Sequence, residues 1–318
     1  MLVHFLHKFF MMENSSIMHI KSINEFHKIH ALSKPEHPLV SLVDYSEINH
    51  SNQRTPLTWF QDFYTIGLKR NVCGKFRYGQ QEYDFDEGLL SFIAPRQVFG
   101  VEMLDEQQIS QPSGWLLLVH PDFLWNTPLA KRIKQYDFFG YAVHESLFLS
   151  EKEELAIIGI LQYIKQEYNS NIDKFSRGII ISQIELLLNY AERFYHRQFI
   201  TRNITNNKIL DKLENLLGDY FNSKELLESG LPTVQDISDK LHVSPNYLSS
   251  LLKTLTGQST QQHIHDKLLE KAKEKLSTTA LSVSEIAYDL GFEHPQSFSK
   301  LFKTKTAMTP LEFRRTFN

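Results

Sequence analysis

Residues 231–318 contain an internal repeat, which constrains the fold more than any other feature of the chain. The segment TVQDISDKL, beginning at Thr233, is matched at an offset of 49 residues by SVSEIAYDL, beginning at Ser282. An offset of 50 then matches Leu248, Leu251, Leu252 and Lys253 to Phe298, Leu301, Phe302 and Lys303. Apolar residues recur at helical spacing in both segments. Each repeat therefore predicts two helices, with the extra residue in the turn between them.

Capping signals indicate where these helices begin. In a capping box, a hydroxyl and an acid three residues later bond each other's backbone amides. That spacing occurs at the first helix of each repeat, in Thr233 with Asp236 and Ser282 with Glu285. Proline is favoured at the first helical position because its missing N–H costs nothing there. The second helices are therefore predicted to begin at Ser244-Pro245 and near His294-Pro295. Gly291 permits a left-handed backbone in the second turn.

The second helix of each repeat leaves a polar face turned outward once its apolar residues are packed. Asn, Gln and Ser can pair with base edges in the major groove, and Lys and Arg can neutralise phosphates. The candidate DNA contacts are Asn246, Tyr247, Ser249, Ser250 and Lys253 in the first repeat, and Pro295, Gln296, Ser297, Lys300 and Lys303 in the second. Lys305, Arg314 and Arg315 are further candidates for phosphates. A helical protein-interaction module is the alternative, which the tandem arrangement disfavours.

A further helix is predicted between the repeats, from about Ser259 to Leu276. Ile264, Leu268, Ala272 and Leu276 lie on one face of it. At 1.5 Å per residue this helix spans roughly 27 Å. With the lateral offset of the two repeats, that length approaches the 34–36 Å between successive major grooves. One chain can then place two helices in neighbouring grooves.

These segments resemble the C-terminal domain of the AraC/XylS family of bacterial regulators. The resemblance covers Leu231 to Phe317 and rests on SPNYLSSLLKTLTGQS, SVSEIAYDLGFEHPQSFSKLFK and TPLEFR. It implies two helix-turn-helix units with a linking helix. It also implies DNA contacts at Asn246, Ser249, Ser250, Pro295, Gln296, Ser297 and Lys300.

The chain departs from the family pattern at a few positions. Lys267 stands where the linking helix usually carries arginine, and Ala307 replaces the usual glycine before the TP pair. A left-handed helix end is less favourable with alanine. Ser249 and Ser250 are shorter than the side chains often found there. We therefore expect the first repeat to read shape or phosphate more than bases.

The segment from 39 to 149 predicts antiparallel strands. Apolar and aromatic runs are separated by glycine and proline: LVSLVDYS, FYTIGL, KFRYG, LLSFIA, VFGVEML and WLLLVH. Helices follow from Ser150, whose spacing to Glu153 is that of a capping box. Many family members carry a cupin-like sensor barrel followed by dimerising helices, and this half is similar in pattern. Its aromatic residues are expected to form the barrel core rather than line a ligand pocket: Tyr64, Phe76, Tyr78, Tyr83, Phe85, Phe92, Phe99 and Trp115.

Composition excludes several classes of protein. The 318 residues are 42% hydrophobic and 22% charged, as in a globular protein of about two domains. No apolar run approaches the roughly 20 residues of a membrane helix, and Met1 to Met12 lacks the cleavage site of a secretory signal. Met11, Met12 and Met18 are alternative starts. The net charge is −3, with 11 Lys+Arg and 9 Asp+Glu in residues 231–318. A slightly basic tail on an acidic body fits DNA binding by the tail.

Metal and redox sites are not predicted. Cys73 is the single cysteine, so no internal disulfide or cysteine-based zinc finger can form, as in a reducing cytoplasm. A small hydrophobic role for Cys73 is favoured over a redox sensor. Residues 39–120 contain no H-x-H pair, and His50 and His120 stand alone. His263 and His265 form such a pair, but on a helix they point to different sides.

The predicted fold is α+β with two domains. We expect an N-terminal extension (1–38), a cupin-like antiparallel β-barrel (39–149), a helical dimerisation region (150–222), a linker (223–230) and a double helix-turn-helix domain (231–318). The function predicted is a cytoplasmic, sequence-specific transcriptional regulator that binds double-stranded promoter DNA, with no cofactor and no enzymatic activity. The wide apolar arc from Ile179 to Phe194 predicts a homodimer. RNA polymerase and a small-molecule effector are candidate partners. The alternative is a cupin-type enzyme with an accessory helical interaction domain.

Overall fold

The computed structural model describes residues 17–48, 58–70, 76–78, 81–83, 88–100, 113–142, 145–170, 173–201, 203–223 and 225–317. The chain divides into an N-terminal unit, Met1–Gln198, and a C-terminal unit, Phe199–Asn318. Met11, Met12, His50, Cys73 and Phe85 lie outside the described residues, so the predictions made for them stay predictions. Within the described residues, no helix is long and apolar enough to cross a bilayer.

The N-terminal unit is built on a five-stranded antiparallel sheet. Its order is β10-β7-β4-β9-β2, where β2 is Val40–Asp44, β4 is Tyr64–Arg70, β7 is Leu89–Ile93, β9 is Ser113–Val119 and β10 is Leu147–Phe148. Strands β1 (Met18–Ile20), β3 (Thr58–Gln61) and β8 (Phe99–Gly100) form a second sheet in the order β1-β3-β8. A two-stranded sheet joins β5 (Phe76–Tyr78) to β6 (Gln81–Tyr83).

The prediction of strands is confirmed, but a closed barrel is not formed by the described strands. Their sheets have five, three and two strands, and the five-stranded sheet ends at β10 and β2. Apolar runs and turn signals predict which segments are extended. Closure depends on whether distant edge strands pair, and no local pattern encodes that.

The region predicted as an N-terminal extension contributes to this core. Strand β1 leads into helix α1 (Ile23–Ile29), which begins after the cap residue Ser22. Ile20 and Ile23 are almost fully buried and belong to one apolar cluster with Phe63 and Leu118. Residues 18–29 are therefore part of the N-terminal unit and not an appendage to it.

Helices complete the N-terminal unit. Helix α2 is Leu129–Arg132, α3 is Glu151–Tyr168 and α4 is Ser176–Thr201. The Ser150 amide at the start of α3 donates to the Glu153 carboxylate at 2.9 Å, the return half of the predicted capping box. Ile180, Ile184, Leu187, Leu188, Ala191 and Phe194 of α4 are buried in the single chain. Most of the apolar arc that predicted a partner is thus already covered.

The C-terminal unit is helical, as predicted. Its helices are α5 (Asn203–Asn222), α6 (Glu225–Ser229), α7 (Val234–Leu241), α8 (Pro245–Thr256), α9 (Thr260–Thr278), α10 (Val283–Asp289), α11 (Pro295–Thr306) and α12 (Pro310–Arg315). One apolar cluster joins Leu213 and Leu217 of α5 and Leu226 of α6 to Ile237 and Phe298 of the repeats. The predicted linker, 223–230, therefore contains a helix that packs into this core, and α5 belongs with the repeats.

Candidate nucleic-acid interface

The first helix of each repeat is held at its start by a closed capping box. The Asp236 amide donates to Thr233 Oγ1 at 3.2 Å, and the Thr233 amide donates to the Asp236 carboxylate at 2.9 Å. Ser282 and Glu285 repeat this pair at 3.2 and 2.6 Å. Hydrogen bonds from Thr233 lower the pKa of Asp236, and those from Ser282 lower the pKa of Glu285, because both favour the ionised carboxylate.

The turns of the two repeats are built differently. His242 ends α7 with a φ of 58°, and Gly291 follows α10 with a φ of 78°. A Cβ at position 291 would also lie 2.8 Å from the carbonyl oxygen of Leu226. Glycine is therefore required in the second turn by backbone conformation and by close packing together.

The second helices of the two repeats, α8 and α11, carry the candidate DNA contacts and are here called the recognition helices. Ser244 caps α8, with its Oγ accepting from the Tyr247 amide at 3.2 Å, and proline follows at 245. Helix α11 also begins with proline, at 295. Each helix ends at a left-handed residue: Gly257 has a φ of 76° and Ala307 a φ of 63°. Ala307 therefore ends α11 in a left-handed conformation, although alanine adopts that conformation less favourably than the glycine usual at this position.

The recognition helix of the second repeat presents the polar face predicted for it. The side chains of Gln296, Ser297, Lys300 and Lys303 are exposed, and Pro295 is half-buried. Phe298 and Phe302 are buried on the opposite face, 1% and 0% exposed. This burial holds the helix in place, so its amide, hydroxyl and two ammonium groups share one outward surface.

The recognition helix of the first repeat differs. Asn246 and Lys253 are exposed as predicted, and Ser250 is half-buried. Ser249 Oγ lies 3.2 Å from Thr260 Oγ1, within hydrogen-bond distance, and Thr260 is fully buried. That hydroxyl joins α8 to the start of α9.

Tyr247 requires a correction. It was predicted on the outward face, but its side chain is only 8% exposed. Its ring packs edge-on against Phe199, with ring centroids 5.2 Å apart. The spacing within α8 allowed either orientation. The covering residue comes from a distant segment that helical periodicity does not reveal.

Arg314 requires a second correction. Its guanidinium donates to the carbonyl oxygens of Leu276 at 3.2 Å and Leu281 at 2.6 Å. These carbonyls lie at the end of α9 and in the segment that follows. Arg314 therefore ties α12 to the linking segment, whereas the neighbouring Arg315 is exposed.

Helix α9 joins the two repeats and packs into the apolar core along one face. Its 19 residues begin after a Ser259–Gln262 capping box and span about 28 Å. Ile264, Leu268, Ala272 and Leu276 are buried on one face, as predicted. Lys267 pairs with Glu270 at 2.8 Å, at the position where arginine was expected.

The two histidines of α9 each lie beside a different polar side chain. His263 lies 2.9 Å from Thr256 Oγ1, and His265 lies 3.0 Å from Gln261 Nε2. Burial lowers the pKa of both rings and so favours their neutral forms. Within the described ranges, no group of three or more potential metal ligands occurs.

Two residues that contact side chains of α8 were not identified from the sequence. Phe199 covers Tyr247, and Thr260 accepts or donates to Ser249. Leu213, Leu217 and Phe221 recur at helical spacing on α5, but that spacing does not identify the helices against which they pack. A segment's periodicity shows that it has a buried face without showing its neighbour.

Comparison with known proteins adds an independent observation. A family model described as "Helix-turn-helix domain" matches residues 237–316. Over 141 residues the chain is 32% identical to the uncharacterized transcriptional regulatory protein YesN of Bacillus subtilis, covering 44% of this chain and 37% of YesN. It is 36% identical over 84 residues to the raffinose operon transcriptional regulatory protein RafR of Pediococcus pentosaceus, covering 26% of this chain and 30% of RafR. The chain thus spans well under half of these relatives.

One solved structure is also similar in sequence to this part of the chain. The C-terminal domain of the two-component response regulator yesN from Fusobacterium nucleatum is 32% identical to this chain. The match covers 33% of this chain and 95% of that domain, with a TM-score of 0.29.

Proposed function

We propose that the whole chain is a transcriptional regulator of the AraC type that binds double-stranded promoter DNA by sequence, because residues 237–316 match a helix-turn-helix domain. One observation carries the proposal. The second recognition helix exposes Gln296, Ser297, Lys300 and Lys303 on one surface. An amide can bond adenine, and lysine can reach guanine or a phosphate. The curated relatives named as regulators support the same reading.

We propose that the two repeats contribute unequally to the recognition of bases. Helix α11 reads bases through Gln296 and Lys300. Helix α8 contributes Asn246 and Lys253 but has fewer free contacts, because Tyr247 and Ser249 are engaged within the protein. The 28 Å helix between them suits binding in successive major grooves, about 34–36 Å apart.

The N-terminal unit is proposed to sense a small molecule, through a sheet of cupin-like character. A polar cavity of about 180 Å³ supports this role. Its lining includes Trp115 with the Lys165 ammonium 4.4 Å from the ring centroid. It also includes His27, which is 5% exposed and lies 2.9 Å from Ser41 Oγ. Both His27 nitrogens are engaged within the protein, since the other lies 2.5 Å from the Ser33 carbonyl oxygen, so the Lys165 ammonium is the group proposed to attract a small polar effector.

Assembly is also a proposal. Exposed apolar side chains lie at helical spacing along one side of this region: Phe175, just before α4, and Ile179 and Leu186 of α4. We propose that this stripe, here called the α4 stripe, forms a homodimer contact. A dimer places four recognition helices on DNA, and the linkage raises avidity without new base contacts. Regulation of promoters in the cytoplasm makes RNA polymerase a further proposed partner.

DNA binding by the full chain tests the central proposal. Genomic sites bound in cells are mapped, and a duplex carrying one site is titrated with purified protein over a range of salt. Affinity should fall steeply with salt, because each neutralised phosphate contributes a slope of about −0.9 in the logarithmic plot. Lys303→Ala should make that slope about 0.9 shallower, because Lys303 is the proposed phosphate contact on α11.

The matched control is Lys212→Ala, an exposed lysine on α5. It removes the same charge from another part of the C-terminal unit and should leave the slope unchanged. Absence of enriched genomic sites, or affinity that does not respond to salt, would refute the proposal.

A further inference from the structure

The two recognition helices differ on one face, although their repeats match elsewhere. Both bury a core stripe, Leu248 with Leu252 and Phe298 with Phe302. Helix α8 buries a second stripe beside it: Tyr247 is 8% and Leu251 is 0% exposed. At an offset of 50, the equivalent residues of α11 are Ser297, which is exposed, and Leu301, which is only partly buried.

Tyr247 of this second stripe is covered by a residue at the end of α4. Phe199, which is 3% exposed, lies near the last residue of that helix and belongs to the C-terminal unit. Its ring meets Tyr247 at an interplanar angle of 76° with a centroid distance of 5.2 Å. This edge-to-face arrangement is attractive beyond the apolar area it buries.

The position of the contact gives it a consequence for DNA binding. Tyr247 is the third residue of α8, in the same first turn as the candidate base contact Asn246. A bulky ring fixed in the first turn sets where that turn can lie. In the second repeat, the equivalent residue is the exposed Ser297, so no such ring fixes the position of the first turn of α11.

We infer that Phe199 and Tyr247 are positioning residues for the first recognition helix, so that the end of α4 sets the affinity of the first repeat alone. The inference rests on the proposed DNA-binding function. According to this inference, the DNA affinity of the first repeat depends on Phe199, which lies outside both repeats. The second repeat, without such a contact, binds independently of it.

The test uses the full chain and a mapped duplex site, with protection followed at each base. Lys253→Ala and Lys303→Ala, which match at an offset of 50, first identify the half-sites of the first and second repeats. Tyr247→Ser then installs the residue found in the second repeat, and Phe199→Ala removes the covering ring. Each should weaken protection of the first half-site by about 2- to 10-fold and leave the second unchanged.

Further variants separate positioning from general loss of structure. Tyr247→Phe keeps the ring and should restore protection, and the double variant should lose little more than either single one. Tyr288→Ser, at an exposed tyrosine of α10, is the matched control and should change neither half-site. Circular dichroism and thermal unfolding without DNA confirm that each variant is folded.

Several outcomes would overturn the inference. Equal losses at both half-sites show general destabilisation, and additive effects of the two substitutions show that the rings do not act together. Unchanged protection in Phe199→Ala removes the positioning role while leaving the proposed function intact. A wild-type chain that protects no site refutes the proposed function and, with it, the inference.

Discussion

At the scale of single residues, the two recognition helices end in the same backbone conformation but with different amino acids. Gly257 and Ala307 correspond at an offset of 50, and both adopt left-handed backbone conformations. For an L-residue with a Cβ this conformation costs roughly 1–2 kcal/mol, a cost that glycine avoids. No heavy atom lies within 4 Å of a Cβ built at Gly257, so backbone conformation alone distinguishes the two residues there.

The first prediction exchanges these residues. Ala307→Gly should raise the free energy of unfolding of the C-terminal unit by about 0.5–1 kcal/mol, because relief of the left-handed strain outweighs the added freedom of the unfolded chain. Gly257→Ala should lower it by a similar amount. Urea unfolding of residues 199–318 measures both. Changes of the same sign in the two variants would contradict the argument.

A second prediction concerns base choice. Gln296→Ala and Lys300→Ala should each relax preference at one base pair by about 1–3 kcal/mol, since a good contact to a base edge has that value. Ser249→Ala should leave preference nearly unchanged, because its hydroxyl is engaged with Thr260. Selection of binding sites from random duplexes measures the preference. Relaxation by Ser250→Ala with none by Gln296→Ala would reverse the assignment of the two repeats.

At the scale of helices, α5 determines what can fold as a domain. Leu213 is 0% and Leu217 is 3% exposed in the cluster that also contains Ile237 and Leu268. The Tyr220 hydroxyl donates to the carbonyl oxygen of Gly230 at 2.9 Å, which fixes the segment leading into α7. Deleting α5 would expose the apolar faces of α7 and α9.

The third prediction compares two fragments. Residues 199–318 should fold cooperatively and bind the mapped sites. Residues 231–318, the domain expected from the repeat alone, should be markedly less stable because they lack α5 and α6. Thermal unfolding followed by circular dichroism distinguishes them. Equal midpoints would show that α5 packs on the repeats without stabilising them.

Capping boxes make the C-terminal unit sensitive to acid. Hydrogen bonds from Ser282 lower the pKa of Glu285, and those from Thr309 lower the pKa of Glu312. The unfolded chain, with the ordinary glutamate value of 4.5, binds these protons first as pH falls. The stabilisation is therefore complete above that pH and is lost as pH falls through the lowered values.

The fourth prediction follows from the sign of these shifts. Glu285→Gln keeps an acceptor at the cap but removes the titration, so unfolding free energy should depend less on pH below 4.5. Glu293→Gln, at an exposed glutamate, is the matched control and should keep the wild-type dependence. Urea unfolding of residues 199–318 across that range measures the slopes. Identical slopes in all three proteins would exclude a contribution from this cap.

At the scale of the whole molecule, the fifth prediction concerns assembly. Ile179 and Leu186 are 44% and 42% exposed, so charges there should not disturb the fold of one chain. If the α4 stripe joins two copies, Ile179→Glu with Leu186→Glu should turn a dimer into a monomer. Sedimentation of the full chain measures the mass, and Leu227→Glu, at an exposed leucine of α6, is the control. A monomeric wild type would reject the dimer.

The sequence predicted some levels of this structure better than others. Both repeats, their caps and the linking helix could be located because capping spacing, proline positions and apolar periodicity are local signals. The environment of a single side chain is not local. Tyr247 is covered by Phe199, and Arg314 donates to carbonyl oxygens at the end of α9 and in the segment after it. For the same reason, sheet closure and the place of α5 could not be deduced from the segments themselves.

The linking helix α9 has a consequence for how the chain can change in length. Each residue inserted into a helix rotates everything beyond it by about 100° and advances it by 1.5 Å. The duplex returns to the same face only about every 34–36 Å. A gain or loss of one residue in α9 would therefore rotate the second recognition helix by about 100° relative to the first. Under the proposed binding in successive major grooves, the length of α9 is constrained by the pitch of DNA.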